Sequence, residues 1–220
     1  MATKRLQFIT IAAIVLATGF FCKNASEHSL RDSYSDSLFQ KLFASAKSSI
    51  RHQLDSNEQR EFRQVTCSDD YNHGIFVRLL DKSGDRGCVG FIRGVVSLED
   101  AAGIAAVDAA FFDPRYPHIR PDELSSLELE ITIIDKLVQI NDYTDFRLGY
   151  DTVLVRQYGK CAIIQGQIAM ERKYSRERYL ESICAKAALE RDAYKRNDIQ
   201  IYKADTIFRK MKYSDIKIDK

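Results

Sequence analysis

The sequence predicts an α+β fold in a single domain, with a largely antiparallel sheet built from hairpins and helices packed against it. Two stretches, 74–96 and 148–164, are rich in β-branched and aliphatic residues and contain short turns, which predicts two β-hairpins. Elsewhere apolar residues recur at three- and four-residue steps, as they do in amphipathic helices. A chain of 220 residues with 45% hydrophobic content is long enough for one sizeable core plus a short appendage.

The first half of the chain predicts a helix, a hairpin and a second helix, in that order. Helical spacing runs from Ser37 to about residue 54, and 55–73 is weakly patterned and predicts a loop. Residues 74–80 and 86–96 predict the two strands of the hairpin, joined by Asp-Lys-Ser-Gly turn chemistry. Ser97 then opens a capping box and a helix of small residues.

The second half predicts a strand, a hairpin, a helix and a last strand. Residues 127–134 alternate between apolar and polar, and Thr152 begins the second hairpin. Ser175 is placed to cap the last helix, and 199–204 predict the final strand. We expect 209–220 to be a solvated, lysine-rich tail.

The strand at 127–134 carries both apolar and acidic residues. Leu129, Ile131 and Ile133 alternate along it, so they are expected to face the core. Glu128 and Glu130 share the other face, which indicates either a solvent-exposed face or a pair of carboxylates for acid–base chemistry. The solvent-exposed face is the simpler interpretation.

Residues 1–22 have the pattern of an export signal. Lys4 and Arg5 precede an apolar run at 8–21, which is shorter than the roughly 20 residues that cross a membrane. Cys22 follows at once, and its placement resembles a bacterial lipoprotein signal in which this cysteine is lipidated.

Export would place the rest of the chain in the cell envelope. We expect the protein to be exported and anchored to the membrane at its N-terminus through Cys22, with 23–36 as a polar tether. Cleavage after Gly19 and an uncleaved anchor are the alternatives. In an oxidising compartment the remaining cysteines can form disulfides, but their spacing does not pair them. They are Cys67, Cys88, Cys161 and Cys184.

Composition and charge exclude several kinds of protein. The formal net charge is +2, and basic and acidic residues are spread along the chain, so no global field attracts nucleic acid. The cysteines show no C-x-x-C spacing and no histidine at metal-ligand spacing. Neither a Walker loop nor a Rossmann fingerprint is present. The sequence predicts no metal, no cofactor and no nucleic-acid partner.

Four segments together resemble one known family. They are residues 85–90 (D-R-G-C-V-G), 109–116 (A-A-F-F-D-P-R-Y), 122–131 (D-E-L-S-S-L-E-L-E-I) and 179–189 (Y-L-E-S-I-C-A-K-A-A-L). In order and spacing they are similar to the L-R-G-C-I-G, A-A-F-x-D-P-R-F, E-E-L-x-x-L-x-I-E-V and F-L-x-x-L-C-x-K-A-G-L segments of the AMMECR family. The resemblance covers roughly Leu38 to Phe208, and we therefore expect 37–208 to be one AMMECR-like domain.

The resemblance implies a protein found with Memo-like and radical-SAM proteins, whose family has no established biochemical function. This chain departs from the family in four places, two of which are Asp85 in place of leucine and Ala188 in place of glycine. Residues 165–169 are Q-G-Q-I-A where the family has L-P-Q-V-A, and the signal-like N-terminus is not a usual family feature. Export also conflicts with radical-SAM chemistry, which belongs in a reducing compartment.

Cys88 is the candidate catalytic residue, with Arg86 as its activator. A thiolate is the reactive form of cysteine, and a nearby cation lowers the thiol pKa. Arg86 and Cys88 lie two apart on a predicted strand and would share one face. The alternative is that Cys88 is a small packing residue and that Arg86 pairs with a carboxylate.

Gly87, Gly90, Asp113 and Arg115 are the candidate ligand-binding residues. Glycines permit a close approach of backbone or ligand, and the Asp-Pro-Arg segment supplies an acid and a cation. In the alternative interpretation, Asp113 caps a turn and Arg115 braces the loop.

Three functions follow from these patterns. The favoured one is a binding module displayed at the cell envelope, with an unknown protein or small-molecule partner. The alternative is a small enzyme or thiol-dependent component of a modification pathway with Memo-like and radical-SAM partners. Nucleic-acid binding comes last, since only residues 172–176 combine basic and aromatic side chains.

Overall fold

The structure, a computed structural model, describes residues 34–56, 73–94 and 96–218. Its α-helices are α1 (Asp36–Asp55), α2 (Leu98–Val107), α3 (Gly166–Glu171) and α4 (Arg176–Lys186). Its strands are β1 (Gly74–Asp81), β2 (Gly84–Phe91), β3 (Glu128–Ile134), β4 (Val138–Ile140), β5 (Thr152–Gln157), β6 (Lys160–Ile164), β7 (Gln200–Ala204) and β8 (Thr206–Lys212). Short turns of π or 3-10 helix lie at Asp108–Phe112, Pro121–Ser126, Ala193–Lys195 and Tyr213–Asp215.

Within the described ranges, the strands form two four-stranded antiparallel sheets in one α+β domain, which confirms the predicted fold class. The first sheet has the order β2-β1-β3-β8 and the second the order β4-β7-β5-β6. Both predicted hairpins are present, as β1–β2 and β5–β6. The second turns at Tyr158 and Gly159, both with positive φ, as a two-residue type I′ turn requires.

One face of the first sheet forms the main core. Alternate residues of β1 and β3 point to this face because successive side chains on a strand point to opposite sides. The face is covered by α1 and α2, whose apolar stripes supply the other half of the core. The buried strand residues are Ile75, Val77, Leu79, Leu129, Ile131 and Ile133.

The two helices that cover this face lie very close together. A Cβ on Gly103 would fall 2.5 Å from Ser49 Oγ and 3.1 Å from Ser45 Oγ, so any larger residue would have to displace these serine side chains of α1. Ser45 Oγ also donates a hydrogen bond to the Glu99 carbonyl across the contact. The small-residue character of α2 in the sequence therefore serves helix packing.

Serine side chains begin three of the helices. Ser97 Oγ accepts from the Asp100 N–H, and Ser175 Oγ accepts from the Arg178 N–H, as the sequence predicts. Ser35 does the same for Leu38 at the start of α1. The capping residues thus mark these boundaries in the sequence.

The second sheet is held to α4 by Tyr179. Its ring is fully buried, and its hydroxyl donates to the Ile164 carbonyl at 2.5 Å. The same hydroxyl accepts from the Val153 N–H at 3.3 Å. The last strand of the hairpin and the helix are therefore fixed to one another through a single side chain.

The chain passes between the two sheets at two neighbouring points. One crossing follows β3 and the other, at Asp205, separates β7 from β8. The crossings are bonded to each other, since the Asp135 N–H donates to the Asp205 carbonyl at 3.0 Å. Beside them, the Thr206 hydroxyl bonds to the Thr152 hydroxyl at 2.8 Å. The sheets are therefore joined at a fixed place.

The C-terminal stretch differs from the predicted solvated tail. Residues 206–212 form β8, which pairs with β3 along its whole length. Beyond β8, Ile216 is buried, and Lys47 Nζ donates to the carbonyls of Tyr213 and Ile216. The lysines conceal the strand in the sequence, because β8 is an edge strand whose charged side chains reach solvent or acidic partners.

The predicted export signal and tether lie almost wholly outside the described residues, as do Cys22 and Cys67. Of the helices in the described ranges, none combines the length and apolar character needed to cross a bilayer. The predicted boundaries at 22 and 36 stay predictions.

Candidate functional site

A bulge in the first hairpin decides which residues surround Cys88. Leu79 pairs with Gly87 and Leu80 pairs with Asp85, so Arg86 has no partner on β1. An extra residue in one strand reverses the facing of the residues that follow it. Asp85 and Cys88 consequently lie on the same face of the sheet, although they are three residues apart.

Arg86 therefore does not contact Cys88. Its guanidinium Nη2 donates to Glu123 Oε1 at 2.7 Å, and its Nε lies 3.3 Å from Asp81 Oδ2. This differs from the predicted thiol–cation pair and matches the alternative, in which Arg86 pairs with carboxylates. The bulge is the physical reason.

Asp113 and Arg115 hold the backbone of Cys88. The Cys88 N–H donates to Asp113 Oδ2 at 2.9 Å, and the Cys88 carbonyl accepts from Arg115 Nη2 at 2.9 Å. Arg115 Nε also donates to Asp113 Oδ1 at 2.8 Å. Because β2 is an edge strand of its sheet, these two side chains take the place of a neighbouring strand.

The charges of this clamp are reinforced by its hydrogen bonds. Withdrawal from water raises the pKa of Asp113, but the bonds from Arg115 and the Cys88 N–H outweigh that effect and hold the pKa below its usual range. Hydrogen bonding to Asp113 raises the pKa of Arg115. The acid is buried while Arg115 keeps 53% of its side chain exposed.

Gly87 and Gly90 lie where other parts of the backbone come close. A Cβ on Gly87 would fall 1.9 Å from the Ala109 carbonyl oxygen, and one on Gly90 would fall 2.3 Å from the Ile75 carbonyl oxygen. Packing alone accounts for both glycines. Their role in ligand binding stays a prediction.

A row of charged side chains crosses the first sheet beside Cys88. Cys88 pairs with Arg78 on β1, Arg78 with Glu130 on β3, and Glu130 with Lys210 on β8. Arg78 Nη1 lies 3.4 Å from Glu130 Oε1, and Lys210 Nζ lies 3.3 Å from Glu130 Oε2. Glu130 is only 1% exposed, so it is a buried acid and not the solvent-facing residue that the sequence indicates.

Helix α3 covers this row and completes its pairing. Glu171 accepts from Arg78 Nη1 at 2.7 Å and from Lys210 Nζ at 2.6 Å. Gln167 Nε2 donates to Glu130 Oε1 at 3.1 Å and to the Thr132 hydroxyl at 2.7 Å. The helix therefore ties the second half of the chain to the first sheet.

Two further cations, one just before α4 and one at its last residue, complete the surroundings of Cys88. Arg172 Nη2 lies 3.5 Å from Asp85 Oδ2, whose Oδ1 accepts from Arg78 Nε. Lys186, the last residue of α4, donates from Nζ to the Ile163 carbonyl at 2.9 Å. Burial lowers the pKa of Lys186, and among the charges that act on it are Arg115, Arg172 and Asp113.

The Cys88 thiol is harder to ionise than an ordinary thiol. The residue keeps part of its surface accessible, but withdrawal of the thiol from water raises its pKa to about 11. This effect outweighs the opposing cations, which include Lys186, Arg78 and Arg115. The cations that act on the thiol therefore come from other segments and not from Arg86.

The other described cysteines lie apart from this site. Cys161 is exposed on β6, Cys184 is buried in α4, and both are free, like Cys88. The described part of the chain contains no group of three or more His, Cys, Asp or Glu residues that could hold a metal ion. The catalytic role predicted for Cys88 and Arg86 stays a prediction.

The structure brings Cys88, Asp113 and Arg115 together and turns Arg86 away. Sequence reasoning did not place at this site the charged residues from distant segments, which are Arg78, Glu130, Glu171, Arg172, Lys186 and Lys210. It singled out Glu130 only as a strand carboxylate and Arg172 only in a basic stretch. Two of these six residues lie within the motifs that carry the resemblance, Glu130 in the third segment and Lys186 in the fourth. The position of these two charged residues inside the motifs was the available signal.

A family model described as AMMECR1 matches residues 43–207 of this chain. A protein of Methanothermobacter thermautotrophicus is 30% identical over 136 residues, which is 59% of this chain and 71% of the relative. A protein of Methanopyrus kandleri is 28% identical over 166 residues, covering 71% and 80% of the two chains.

A crystal structure of an uncharacterised protein from Pyrococcus horikoshii shares the fold. Its TM-score is 0.73 at 23% identity, and the match covers 81% of this chain and 94% of that one. These relatives are archaeal, so they do not support the bacterial character of the predicted lipoprotein signal.

Proposed function

The chain belongs to the AMMECR1 family, and we propose that it is a binding module whose binding face is centred on Cys88. We further propose that its N-terminal segment exports it and anchors it at the cell envelope. The partner is a protein or a small molecule. No catalytic step is part of this proposal.

The observation that carries the proposal is the convergence of the family-like segments. The first supplies Cys88, the second supplies the Asp113–Arg115 clamp on its backbone, and the third supplies Glu130 in the adjoining charged row. The fourth supplies Lys186, which is electrostatically linked to Cys88. Segments that lie almost 100 residues apart in the chain thus meet at one place.

The charge arrangement at this face supports binding. Arg115 and Arg172 keep 53% and 52% of their side chains exposed. Their partners Asp113 and Asp85 are 2% and 22% exposed, so the acids are withdrawn from solvent while the arginines reach it. Exposed cations that are already oriented by recessed acids lose little conformational freedom when a partner binds.

The enzymatic alternative depends on the Cys88 thiol. A pKa of about 11 leaves very little thiolate at neutral pH, and Arg86 is engaged by Glu123. A thiol-dependent role with Memo-like and radical-SAM partners would therefore need the partner itself to change the surroundings of Cys88.

The binding face is tested with protein purified from its native host under mild conditions. Native mass spectrometry should find a molecule or protein bound to the full chain, and Arg172→Ala should reduce its occupancy on the order of tenfold. Arg178→Ala is the matched control, because Arg178 is 54% exposed and lies 3.7 Å from one acid, Glu181. Equal retention by both variants would contradict a binding face at Cys88.

Export and anchoring are tested separately. The intact mass of the mature protein should show loss of the residues before Cys22 and addition of lipid, and the protein should enter the detergent phase. Cys22→Ser should abolish the lipid mass and release the protein from the membrane. A product that retains Met1 and stays in the aqueous phase would refute this part.

A further inference from the structure

Among the charged groups around Cys88, positive charges outnumber negative charges. Ion pairs join three of the cations to three carboxylates, and Arg115 pairs with Asp113 and bonds to the Cys88 carbonyl. Lys186 Nζ reaches the same side of the first sheet through its bond to Ile163, which lies in one apolar cluster with Phe76, the cross-strand neighbour of Gly90. We call the set the Cys88 cluster; its cations are Arg78, Arg115, Arg172, Lys186 and Lys210, and its carboxylates are Asp85, Asp113, Glu130 and Glu171. Five cations face four carboxylates, so one positive charge is in excess.

The excess lies at Lys186. Asp113 forms an ion pair with Arg115, and Asp85 forms ion pairs with Arg78 and Arg172. Glu130 and Glu171 are both shared between Arg78 and Lys210. Among these described pairs, no carboxylate is bonded to Lys186, whose Nζ is held by the Ile163 carbonyl alone.

We propose that Lys186, with Arg172 and Arg115 beside it, binds an oxyanion group of the partner, a carboxylate or a phosphate, next to Cys88. The inference rests on the proposed binding module and identifies the chemistry that its face recognises. One monoanionic group would neutralise the excess charge of the cluster.

The donors needed for such a group are available. An ammonium has three N–H donors, and Lys186 commits one of them to Ile163. A guanidinium has five, and Arg172 uses Nη1 for the Tyr174 hydroxyl and directs Nη2 to Asp85. Charge-assisted hydrogen bonds from these donors are the strong kind that proteins use to hold carboxylates and phosphates.

The surroundings of Lys186 make anion binding favourable. Lys186 is an exposed residue whose Nζ bonds to a neutral carbonyl and not to a carboxylate among the described pairs. In agreement with this, partial withdrawal of the amine from water lowers its pKa, and Arg115 and Arg172 add to that effect while Cys88 and Asp113 oppose it. A bound anion supplies the missing compensation and should move the pKa of Lys186 back up. This response separates a true subsite from simple surface screening, which affects all exposed lysines alike.

The test uses the full chain, labelled with ¹³C at the lysine Cε atoms and titrated with sodium phosphate or sodium acetate at constant ionic strength. The Lys186 signal should shift saturably with at least one of the two anions, and its pKa should rise. Lys186→Met should weaken binding on the order of tenfold or more, the effect expected for a charge-assisted bond. The two anions decide between phosphate and carboxylate.

Lys160→Met is the matched control, because Lys160 Nζ also donates to one backbone carbonyl, that of Ala188, at 2.9 Å. It should leave anion binding within twofold of wild type. Equal, unsaturable shifts at Lys160 and Lys186, or unchanged binding by Lys186→Met, would overturn the subsite.

Failure of the subsite is distinguishable from failure of the binding module. The anion titration uses the chain alone, whereas the module is tested by retention of the native partner through Arg172. If binding of the native partner depended on Arg172 while neither anion bound, the binding module would be supported and the oxyanion subsite would be refuted.

Discussion

On one face of the first sheet, Ile75 and Val77 pack against α1 and α2; on the other face of the same strands, Arg78 and Glu130 form an ionic row. Both faces are buried, and both come from alternate residues of β1 and β3. The apolar face depends on non-directional burial of hydrocarbon. The ionic face depends on directed bonds that reach α3 and β8.

The two faces of the sheet contribute differently to stability and to the positions of the neighbouring elements. Burying an ion pair adds little net stability over apolar packing, but removing one member leaves the other uncompensated. The apolar face therefore supplies most of the stability of the sheet. The ionic face fixes where α3, Lys210 and the neighbourhood of Cys88 sit relative to one another.

The strongest test of this contrast is Glu130→Ala. We expect it to cost about 3–5 kcal/mol of unfolding free energy, because Arg78 and Lys210 lose a buried partner. Urea denaturation measures the cost. Glu130→Gln keeps the shape of the side chain without its charge and should cost less. A loss below about 1 kcal/mol in both variants would show that the row is not a paired network.

The next test concerns reactivity at the edge of the ionic face. With a pKa of about 11 against the ordinary 9.0, Cys88 should hold roughly a hundredfold less thiolate near neutral pH. Cys161, which is exposed, should therefore be alkylated by iodoacetamide much faster, as followed by peptide mass spectrometry. Arg86→Gln should leave the Cys88 rate unchanged. Rapid alkylation of Cys88 that Arg86→Gln slows would restore the reactive-thiol hypothesis.

Asp113→Asn should produce a smaller loss, about 1.5–3 kcal/mol, because it weakens charge-assisted bonds to Arg115 and Cys88. The folded-state pKa of Asp113 is lowered, so its stabilisation is present above the unfolded value of about 3.9 and disappears as pH falls through the folded value. The difference between wild type and variant should thus be constant from about pH 5 to 8 and shrink below about pH 4. A difference that grows in acid would contradict the clamp.

The smallest effect is expected on the apolar face. Ile131→Val should cost about 0.5–1.5 kcal/mol, the usual result of removing one buried methylene. This loss should change little with pH or salt, because the methylene that is removed is apolar and packs in a core cluster of apolar side chains. If Ile131→Val showed the same pH dependence as Asp113→Asn, the two faces would not be energetically independent.

The apolar face and its helices could be predicted because the sequence periodicity is local. The alternation of Leu129 and Ile131 with polar residues can be read directly from the sequence. Ser97 and Ser175 likewise mark helix starts through contacts with residues only three positions away. The ionic face could not be predicted in this way. Glu130 looks like a solvent-facing residue until Arg78 and Lys210 are known to flank it, and both lie more than 50 residues away in the chain.

The candidate site was predicted in part for the same reason. Asp113 and Arg115 belong to one local motif, and that motif does adjoin Cys88. The position of Arg86 depends on the bulge at Leu79, which glycine-rich sequence permits but does not locate. Lys186 enters the site only because α4 packs along β6.

The place of β8 beside β3 has a consequence for the order in which the molecule is completed. The first sheet receives its fourth strand from residues 206–212, which follow β3 by more than 70 residues in the chain. Until those residues leave the ribosome, β3 has an open edge that can pair with other chains. Chains that end before Thr206 should therefore aggregate. Folding of the first sheet also waits for contacts of long sequence separation, which are slow to form.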